Sequence, residues 1–481
     1  MRRHPGNWEW RGVKDPDTLA REGGAGPAPR VHGQMVGCRE MKLSGWGRYP
    51  VLDARAHAPR SVEALRDIVL SSPSVIARGN GRAYGESAIN PAATIMMRHF
   101  DRMLAFDPGS GQLVAEAGVL LADIIAVFLP RGWFPLVTPG TKFITLGGAI
   151  AADVHGKNHR RDGSFRACVD WIELMGPDGA VRRCSRREDA ELFDHTLGGM
   201  GLTGIVVRAA LRLRPVETAW VRQTTISAGT LAAAMAAIEA ARDATYAAAW
   251  IDCVATGRSL GRSLVMLGEH AARADLPPDH AGQPFRIEPR RKLSVPVDFP
   301  AFALNRYGMR ALNALYYRAG ARKAGVRLVD WDSYFHPLDV IHGWNRIYGR
   351  RGFAQFQCVL PLDRAEAGLA ALLTTVAVAG SASFLAVLKR LGAQGSAFSF
   401  PMEGYTLALD FPVSEATLAL LDRLDAIVVA HGGRFYLAKD SRMSAAVLRA
   451  SDRRVEDFRA LRAARGLAGR FRSAQAERLA L

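Results

Sequence analysis

The chain has 481 residues, of which 49% are hydrophobic and 23% charged, a composition typical of a globular protein and not of a disordered or disulfide-scaffolded one. Its length exceeds what one hydrophobic core usually supports, so two domains or lobes are expected. The excess of 63 Lys and Arg over 46 Asp and Glu leaves a net charge of +17, which favours an acidic partner such as nucleic acid, an anionic membrane surface or a phosphorylated substrate.

The cysteines and the N-terminal segment limit the kinds of site and the cellular location that we expect. Five scattered cysteines form no Cys-x-x-Cys pair, so we expect neither a zinc site nor a disulfide framework, and no metal. Residues 1–41 are rich in Gly, Pro and Arg and are interpreted as a disordered tail or as the product of a mis-assigned start codon. Residues 367–388 lack any charge, but the small residues around Gly380 predict a helix followed by a strand. We expect a cytoplasmic or peripherally membrane-associated protein without a signal peptide or transmembrane helix.

The first half of the chain alternates predicted helices and strands with glycine-rich turns. A helix over 61–70, with Ser61 as its N-cap, precedes a short buried strand, and strands over 168–175 and 205–213 follow. Three turns, at 78–85, 145–148 and 198–204, contain two or more glycines each. The spacing of the first disfavours a nicotinamide-binding Rossmann site, but backbone N–H groups in such turns can converge on a pyrophosphate.

After Pro215 the sequence changes in character. Helices over 231–241 and 365–377 and strands over 247–253, 355–360 and 405–411 are predicted. A segment over 286–327 holds ten Lys and Arg against Glu288 and Asp298, interleaved with aromatic residues and leucines. It is typical of a surface that lies on anionic lipid, the alternative being a solvated helix face. No nucleic-acid-binding motif accompanies it, so nucleic acid is not expected as a partner.

Several motifs resemble those of a known family. They lie at residues 76–85, 147–159 and 438–442, with further matches at 335–338, 344–346 and 411–412. From about Gly45 to its end, the chain resembles the FAD-linked oxidases of the vanillyl-alcohol-oxidase class, and within it the enzymes that act on a polyprenyl-phosphate sugar. The resemblance implies an α+β fold. A two-lobed FAD-binding domain, built from residues 42–217 and 434–481, would enclose a substrate domain over 218–433 that carries the basic insert 286–327.

The resemblance also implies FAD as the cofactor. The positions that match the family's cofactor contacts are Arg78, Gly79, Asn80, Gly81, Arg82, Ala83, Tyr84, Gly85, Gly140, Thr145, Leu146, Gly147, Gly148, His155, Gly156, Lys157, Asn158, Ile205 and Tyr436. Several relatives attach FAD covalently through a histidine in the first glycine loop. Arg82 stands at that place, and because a guanidinium cannot form the bond, FAD is expected to be non-covalent.

Five residues match catalytic or substrate-pocket positions of the family: Lys439, Lys389, Gln357, Tyr84 and His155. Lys439 is implied beside the flavin, where its charge would stabilise the anionic reduced form or orient the substrate, and Lys389 is implied at the substrate phosphate. Four pocket positions depart from the mycobacterial pattern. They are Ala408 for a cysteine, Thr406 and Ala386 for asparagines, and Phe335 for a tyrosine. These departures concern recognition of the sugar rather than the flavin chemistry.

The activity that the resemblance implies is FAD-dependent oxidation of the 2'-hydroxyl of a polyprenylphosphoryl ribose to the 2-keto sugar. This is the first half of an epimerisation that gives a polyprenyl-phosphate arabinose donor for cell-envelope glycans. The implied partners are an NAD(P)H-dependent keto-sugar reductase, a quinone or other electron acceptor, and an anionic membrane surface. Two alternatives are an FAD sugar-alcohol or aldonolactone oxidase acting on a free sugar, and a non-catalytic lipid- or nucleic-acid-binding protein on a degenerate flavin fold.

Overall fold

The computed structural model describes residues 37–288, 293–300, 306–381, 383 and 385–481. Most of the predicted tail therefore lies outside the described residues, but the first strand begins at Cys38, before the expected boundary at residue 41. A mixed sheet in the order β1-β2-β4-β3 opens the described chain. Its strands are β1 (Cys38–Ser44), β2 (Val51–His57), β3 (Ile76–Arg78) and β4 (Thr94–Met96). Between β2 and β3 lies α1 (Val62–Ser71), whose N-cap Ser61 accepts a hydrogen bond from the Ala64 N–H as predicted.

A six-stranded sheet follows, in the order β5-β6-β10-β8-β9, with β7 paired to β10. Its strands are β5 (Met103–Asp107), β6 (Gln112–Glu116), β7 (Trp133–Pro135), β8 (Val169–Met175), β9 (Val181–Ser185) and β10 (Ile205–Pro215). The helices of this part are α2 (Leu121–Phe128), α3 (Leu146–Ala151), α4 (His159–Asp162) and α5 (Ala190–Thr196). The side chains of α2, α3 and the sheet form one continuous hydrophobic core.

The next part is built on an eight-stranded antiparallel sheet. Its helices and strands, with the short pair β14 and β16, are β11 (Trp220–Ala228), α6 (Leu231–Ala240), β12 (Tyr246–Ile251), β13 (Ser263–His270), α7 (Pro278–Ala281), β14 (Leu293–Ser294), α8 (Arg306–Arg322), β15 (Gly325–Asp330), α9 (Trp331–Phe335), β16 (Ile341–His342), β17 (Phe353–Pro361), α10 (Leu362–Val378), β18 (Ala386–Leu391), β19 (Gly404–Pro412), α11 (Glu415–Ala430) and β20 (Arg434–Phe435). The order across the sheet is β15-β11-β13-β12-β18-β19-β17-β20. The uncharged stretch over 367–388 is the end of α10 and the start of β18, as predicted. No helix in the described ranges is long and apolar enough to span a bilayer.

The central strands β17 and β19 are buried almost throughout, although their sequences alternate polar and apolar residues. Side chains alternate between the two faces of a strand. Phe356, Cys358, Leu407 and Leu409 therefore share one face and pack in the core with α10 and α11. The polar residues between them lie on the opposite face, which positions the candidate site.

The chain ends in three helices that return to its beginning: α12 (Ala445–Ser451), α13 (Arg454–Ala464) and α14 (Ala474–Leu479). The N–H of Val75 donates to the carbonyl of Arg470 at 2.7 Å, and Arg478 forms an ion pair with Glu86 at 2.7 Å. These contacts place the C-terminal segment against the β3 end of the first glycine loop. A cofactor domain split between the two ends of the chain needs such contacts, and its boundaries at 217 and 434 stay a prediction.

Candidate active site

One face of the eight-stranded sheet collects polar side chains from three adjacent strands. In the register of β17 with β19, Gln355 lies opposite Asp410 and Gln357 opposite Ala408. In the register of β18 with β19, Lys389 lies opposite Thr406. Segments outside the sheet add Tyr84, His155 and Lys439. We call the following eight side chains the polar cluster: Tyr84, His155, Gln355, Gln357, Lys389, Thr406, Asp410 and Lys439.

Lys439 lies at one end of the polar cluster, beside the first glycine loop. Its ammonium is 3.9 Å from the centre of the Tyr84 ring, close enough for a cation–π contact. The backbone N–H of Tyr84 donates to the carbonyl of Ala438 at 2.9 Å, which fixes the two segments to each other. The Tyr84 hydroxyl accepts a hydrogen bond of 3.2 Å from the side-chain amide of Gln355. The same amide also donates to the carboxylate of Asp410.

Asp410 is the acidic member of the polar cluster, and its side chain is fully buried. Its carboxylate accepts a hydrogen bond of 3.3 Å from the hydroxyl of Tyr348 as well as the bond from Gln355. Desolvation raises the pKa of Asp410 to about 7, against the opposing effects of these hydrogen bonds and of the Lys439 charge. Desolvation also lowers the pKa of Lys439 to about 7, while the negative charge of Asp410 raises it. The two groups therefore control each other's charge near neutral pH.

His155 lies at the centre of the polar cluster. Its Nε2 is 3.1 Å from the Gln357 amide nitrogen, and its Nδ1 is 3.4 Å from the Lys389 ammonium. The Gln357 amide also donates to the Thr406 hydroxyl at 3.2 Å, and the ring of Tyr436 lies 5.6 Å from the imidazole. Burial, and then the positive charge of Lys389, lower the pKa of His155 well below its usual value. The imidazole is therefore neutral at physiological pH.

Beyond His155 lie two further lysines. Lys389 and Lys157 are half-buried, and desolvation lowers their pKa values to about 8 and about 7. The positive charge of Lys389 contributes to the low pKa of Lys157. Lys157 donates to the backbone carbonyl of Tyr334, and its ammonium lies 4.1 Å from the centre of that ring.

The first two glycine loops touch each other. A Cβ on Gly79 would lie 2.2 Å from the Thr145 hydroxyl oxygen, and the Asn80 side-chain amide donates to the carbonyl of Phe143 at 2.9 Å. Gly81 has a φ of +62°, which favours glycine at that position. Within the described residues, the backbone N–H groups of Asn80, Gly81 and Ala83 have no hydrogen-bond acceptor. The first loop can therefore donate hydrogen bonds to an anion.

In the second glycine loop, the backbone N–H groups already have acceptors within the protein. The N–H groups of Leu146 and Gly147 donate to the carbonyls of Val119 and Ala117, at 2.8 and 2.7 Å. The N–H of Gly148 donates to the Thr145 hydroxyl at 3.2 Å. The role of this loop at the cofactor stays a prediction.

A third group of predicted cofactor residues lies around Gly156. A Cβ on Gly156 would lie 2.5 Å from the Asn158 side-chain oxygen and 2.9 Å from the Thr138 carbonyl. The hydroxyl of Thr138 and that side-chain oxygen of Asn158 are buried and have no hydrogen-bond partner among the described residues. Both atoms are therefore available to form a hydrogen bond with a bound polar group.

The sequence comparisons agree with this geometry. A profile described as "FAD binding domain" matches residues 54–185. The decaprenylphosphoryl-β-D-ribose oxidase of Mycolicibacterium smegmatis is 34% identical over 453 residues, which cover 92% of this chain and 97% of that protein. An uncharacterised protein of Streptomyces coelicolor is 36% identical over 373 residues, covering 76% of this chain and all of that protein. The L-gulonolactone oxidase of Bos taurus is 25% identical over 184 residues, which cover only 37% of this chain and 42% of that enzyme.

The chain belongs to the decaprenylphosphoryl-ribose oxidase family of FAD-linked oxidases. It is an FAD-dependent oxidoreductase with the α+β fold of the vanillyl-alcohol-oxidase class, as the motifs implied. The described residues fit FAD on three observations: the free N–H groups of the first loop, the buried unsatisfied atoms of Thr138 and Asn158, and the ammonium of Lys439 beside that loop.

The remaining predicted cofactor residues differ in how close they lie to the polar cluster and the first glycine loop. Tyr436 lies beside His155, and Arg78 is buried with its guanidinium bonded to the Ser44 carbonyl at 2.7 Å. Gly140 is exposed with open space around it, and Ile205 is buried at the start of β10. No described contact joins these last two residues to the polar cluster, so their role at the cofactor stays a prediction.

The departures from the mycobacterial members of the family are not equivalent. Ala408 and Thr406 share the polar face of β19, at the positions where the resemblance implied a thiol and an amide. Ala386 instead lies on the opposite face of β18 and is buried in the core, so the lack of an amide there does not alter the polar cluster. Phe335 is buried among aromatic residues, with its ring 4.9 Å from Tyr246 and 5.4 Å from Phe134.

Sequence reasoning missed four residues: Gln355, Asp410, Tyr348 and Thr138. Two of them had a signal, since Gln355 and Asp410 are two positions away from Gln357 and Ala408 on predicted strands. Tyr348 and Thr138 lie outside regular strands, so no periodicity marks them.

Proposed function

We propose that this family member oxidises the 2'-hydroxyl of a polyprenylphosphoryl ribose to the 2-keto sugar. The observation that carries the proposal is the lysine-rich polar cluster, with Lys439 at the cofactor loop and Lys389 beyond His155. Similarity to the Mycolicibacterium smegmatis oxidase over nearly the whole chain supports it. The similarity to L-gulonolactone oxidase covers about a third of the chain, so a free-sugar oxidase is the weaker reading.

Different residues of the polar cluster have different roles in the proposed reaction. FAD, when bound, supplies the hydride acceptor. The charge of Lys439 lies where it would stabilise the negative charge that accumulates during reduction, and a preorganised charge at that place lowers the barrier. The amide of Gln357 and the neutral imidazole of His155 can hold a sugar hydroxyl in position by hydrogen bonds. Lys389 can bind the anionic phosphate of the substrate.

Anaerobic bleaching of the yellow holoenzyme tests the proposal. Farnesylphosphoryl ribose should reduce the flavin, and the product should be the 2-keto sugar by mass and by borodeuteride labelling at C2'. Free ribose and L-gulono-1,4-lactone serve as controls. Reduction by a free sugar with an efficiency equal to that of the phosphorylated one would favour the alternative activity instead.

The cofactor is proposed to be non-covalent, because Arg82 occupies the place of the linking histidine. Its guanidinium lies 4.1 Å from the centre of the Trp46 ring and 5.5 Å from that of Phe143, contacts that suit a packed cation. Acid precipitation should therefore release all of the flavin into the supernatant. Colour retained in the pellet would contradict this.

A membrane surface is proposed as a partner on the basis of α8. Its side chains Met309 and Asn313 are buried, whereas Tyr307, Leu312 and Leu315 are exposed between arginines. Residues 289–292 and 301–305 of the predicted basic segment lie outside the described residues. Exposed cationic residues contribute about 1 kcal/mol each near an anionic lipid surface. Sedimentation with phosphatidylglycerol vesicles should therefore exceed that with phosphatidylcholine and weaken in salt, and equal binding to both vesicles would refute it.

The remaining proposed partners follow from the reaction. A keto sugar that is to become arabinose needs reduction, so an NAD(P)H-dependent reductase is proposed to consume the product. The reduced flavin needs an acceptor, for which a quinone is proposed. Turnover with a soluble quinone analogue, with and without such a reductase, tests both partners.

A further inference from the structure

Lys157 was expected at the cofactor, but its surroundings point to the substrate. Among the described residues, strands β12 and β18 pair only at Ala249 with Leu388 and at Trp250 with Val387. Two residues further along β12, the N–H of Ala247 donates to the carbonyl of Lys157 at 2.9 Å. The segment that carries Lys157 therefore takes the place of β18 at the edge of β12. This sets Lys157 beside the end of β18 that carries Lys389.

Neither lysine has an acidic partner in the part of the chain that the structure describes. Within the described residues, no carboxylate lies within 4.0 Å of the ammonium of Lys157 or of Lys389. The groups that face them are the neutral His155, the carbonyl and ring of Tyr334, and each other. Two desolvated ammonium groups placed together without a counter-charge repel each other, and an anion bound between them removes that cost. Lys439 differs because the charge of Asp410 supports it.

The order of side chains across the sheet agrees with the chemistry of the proposed substrate. From Gln357 on β17 the polar face passes over β19 to Lys389 on β18, and then to Trp250 on β12. The Trp250 ring lies 4.8 Å from the ring of Tyr316 on α8, the helix with exposed apolar side chains. A sugar at the flavin, a phosphate at C1' and a polyprenyl chain occur in the same order along the lipid-linked substrate.

We infer that Lys157 and Lys389 together bind the phosphodiester of the lipid-linked substrate, between the sugar at Gln357 and His155 and the prenyl chain at Trp250 and α8. This inference rests on the proposed function and assigns Lys157 to the substrate rather than to FAD. The contact is present in both the ground state and the transition state, so it acts on substrate binding and not on the rate of flavin reduction.

Kinetics with matched substrates test the inference. For farnesylphosphoryl ribose, Lys157→Met and Lys389→Met should each raise the half-saturating concentration at least tenfold, with the limiting rate of flavin reduction within about threefold of wild type. Lys157→Arg keeps the charge and should recover most of the affinity. Lys42→Met removes an exposed lysine on β1 and should change nothing. For methyl riboside, which lacks the phosphate, none of these variants should differ from wild type.

Proton uptake gives an independent readout on the holoenzyme. At pH 8 both lysines are partly neutral, and a bound phosphate raises their pKa values. Titration calorimetry with farnesyl phosphate in buffers of different ionisation enthalpy should therefore show net proton uptake in the wild type. The uptake should be smaller in Lys157→Met and in Lys389→Met but unchanged in Lys42→Met.

The outcomes separate the two claims. If no ribosyl phosphate reduces the wild-type flavin, the proposed function fails. If the wild type is reduced but Lys157→Met keeps the wild-type affinity and proton uptake, the inference alone fails. If Lys157→Met binds no FAD, the affinities of Lys389→Met and Lys157→Arg for the substrate test the inference instead. Loss of FAD in all three variants would show that Lys157 contributes to cofactor binding and would overturn the inference.

Discussion

The two ends of the polar cluster carry positive charge in different ways. At the cofactor end, Lys439 has a buried carboxylate within its electrostatic reach, and Gln355 and Tyr348 hold that carboxylate in place. At the far end, Lys389 and Lys157 face each other and neutral groups, with no carboxylate beside them among the described residues. In the first arrangement a carboxylate of the protein itself favours the charged ammonium before any ligand binds, which suits transition-state stabilisation. The second leaves a charge to be neutralised by the ligand, as binding requires.

The largest expected effect of this difference is on the rate of flavin reduction. Lys439→Met should lower the limiting rate at saturating substrate by roughly 100-fold to 1,000-fold, the usual cost of losing one preorganised group at a developing charge. Lys389→Met should leave the limiting rate nearly unchanged and raise the half-saturating concentration. Stopped-flow absorbance at the flavin band measures both quantities. Reduction of Lys439→Met at the wild-type rate would show that Lys439 does not act in catalysis.

A smaller effect is expected when the carboxylate of the cofactor end is neutralised. The charge of Asp410 raises the pKa of Lys439, which is about 7. Asp410→Asn should lower that pKa, so the rate that depends on charged Lys439 should fall at a lower pH. A shift of about one pH unit corresponds to ~1.4 kcal/mol and to a roughly tenfold lower rate on the alkaline side.

The pH profile of flavin reduction between pH 5 and 9 measures this shift. Tyr348→Phe is the matched control, because it removes one hydrogen bond to Asp410 and leaves the carboxylate. Its profile should stay close to that of the wild type. An unmoved profile in Asp410→Asn would mean that the two groups do not act on each other.

The sequence predicted individual members of the cluster better than their partners. Lys439, Tyr84 and Lys389 were identified because they match positions of the family that the motifs resemble. Strand alternation places Asp410 on the same face as Ala408, but only the register of β17 with β19 brings Asp410 to Gln355. The position of Lys157 beside β18 depends on the early end of the β12–β18 pairing, which no local pattern reports.

The same limit applies to the fold. Capped helices such as α1 and buried strands such as β17 and β19 were predicted from local signals, since caps and alternation are properties of a few consecutive residues. Strands β11 and β13 were not predicted, although they form eight register pairs with each other in the large sheet. Their sequences mix polar and apolar residues without a regular alternation, and both strands contact α8, which lies far from β11 in the sequence.

The last expected effect is on stability and concerns the cofactor end of the polar cluster. Burial raises the pKa of Asp410 from 3.8 to about 7, so between these values the folded state holds a proton that the unfolded state has lost. The free energy of unfolding therefore falls as pH rises through this range. Asp410→Asn lacks this fall, and its stability relative to wild type should increase by on the order of 2 kcal/mol between pH 5 and 7.

Lys439 does not reverse this sign. Its lowered pKa makes the free energy of unfolding rise between about pH 7 and 10.5, and loss of the Asp410 charge extends that rise to lower pH. Urea unfolding at pH 5, 6 and 7 with fixed excess FAD measures the change, with Asp53→Asn, whose side chain is 80% exposed, as the control. Lost hydrogen bonds to Gln355 and Tyr348 lower the stability of Asp410→Asn by an amount that does not vary with pH, so only the slope decides. Parallel lines for wild type and Asp410→Asn would show that the carboxyl group is ionised throughout, and the charge of Lys439 would then be supported at every pH.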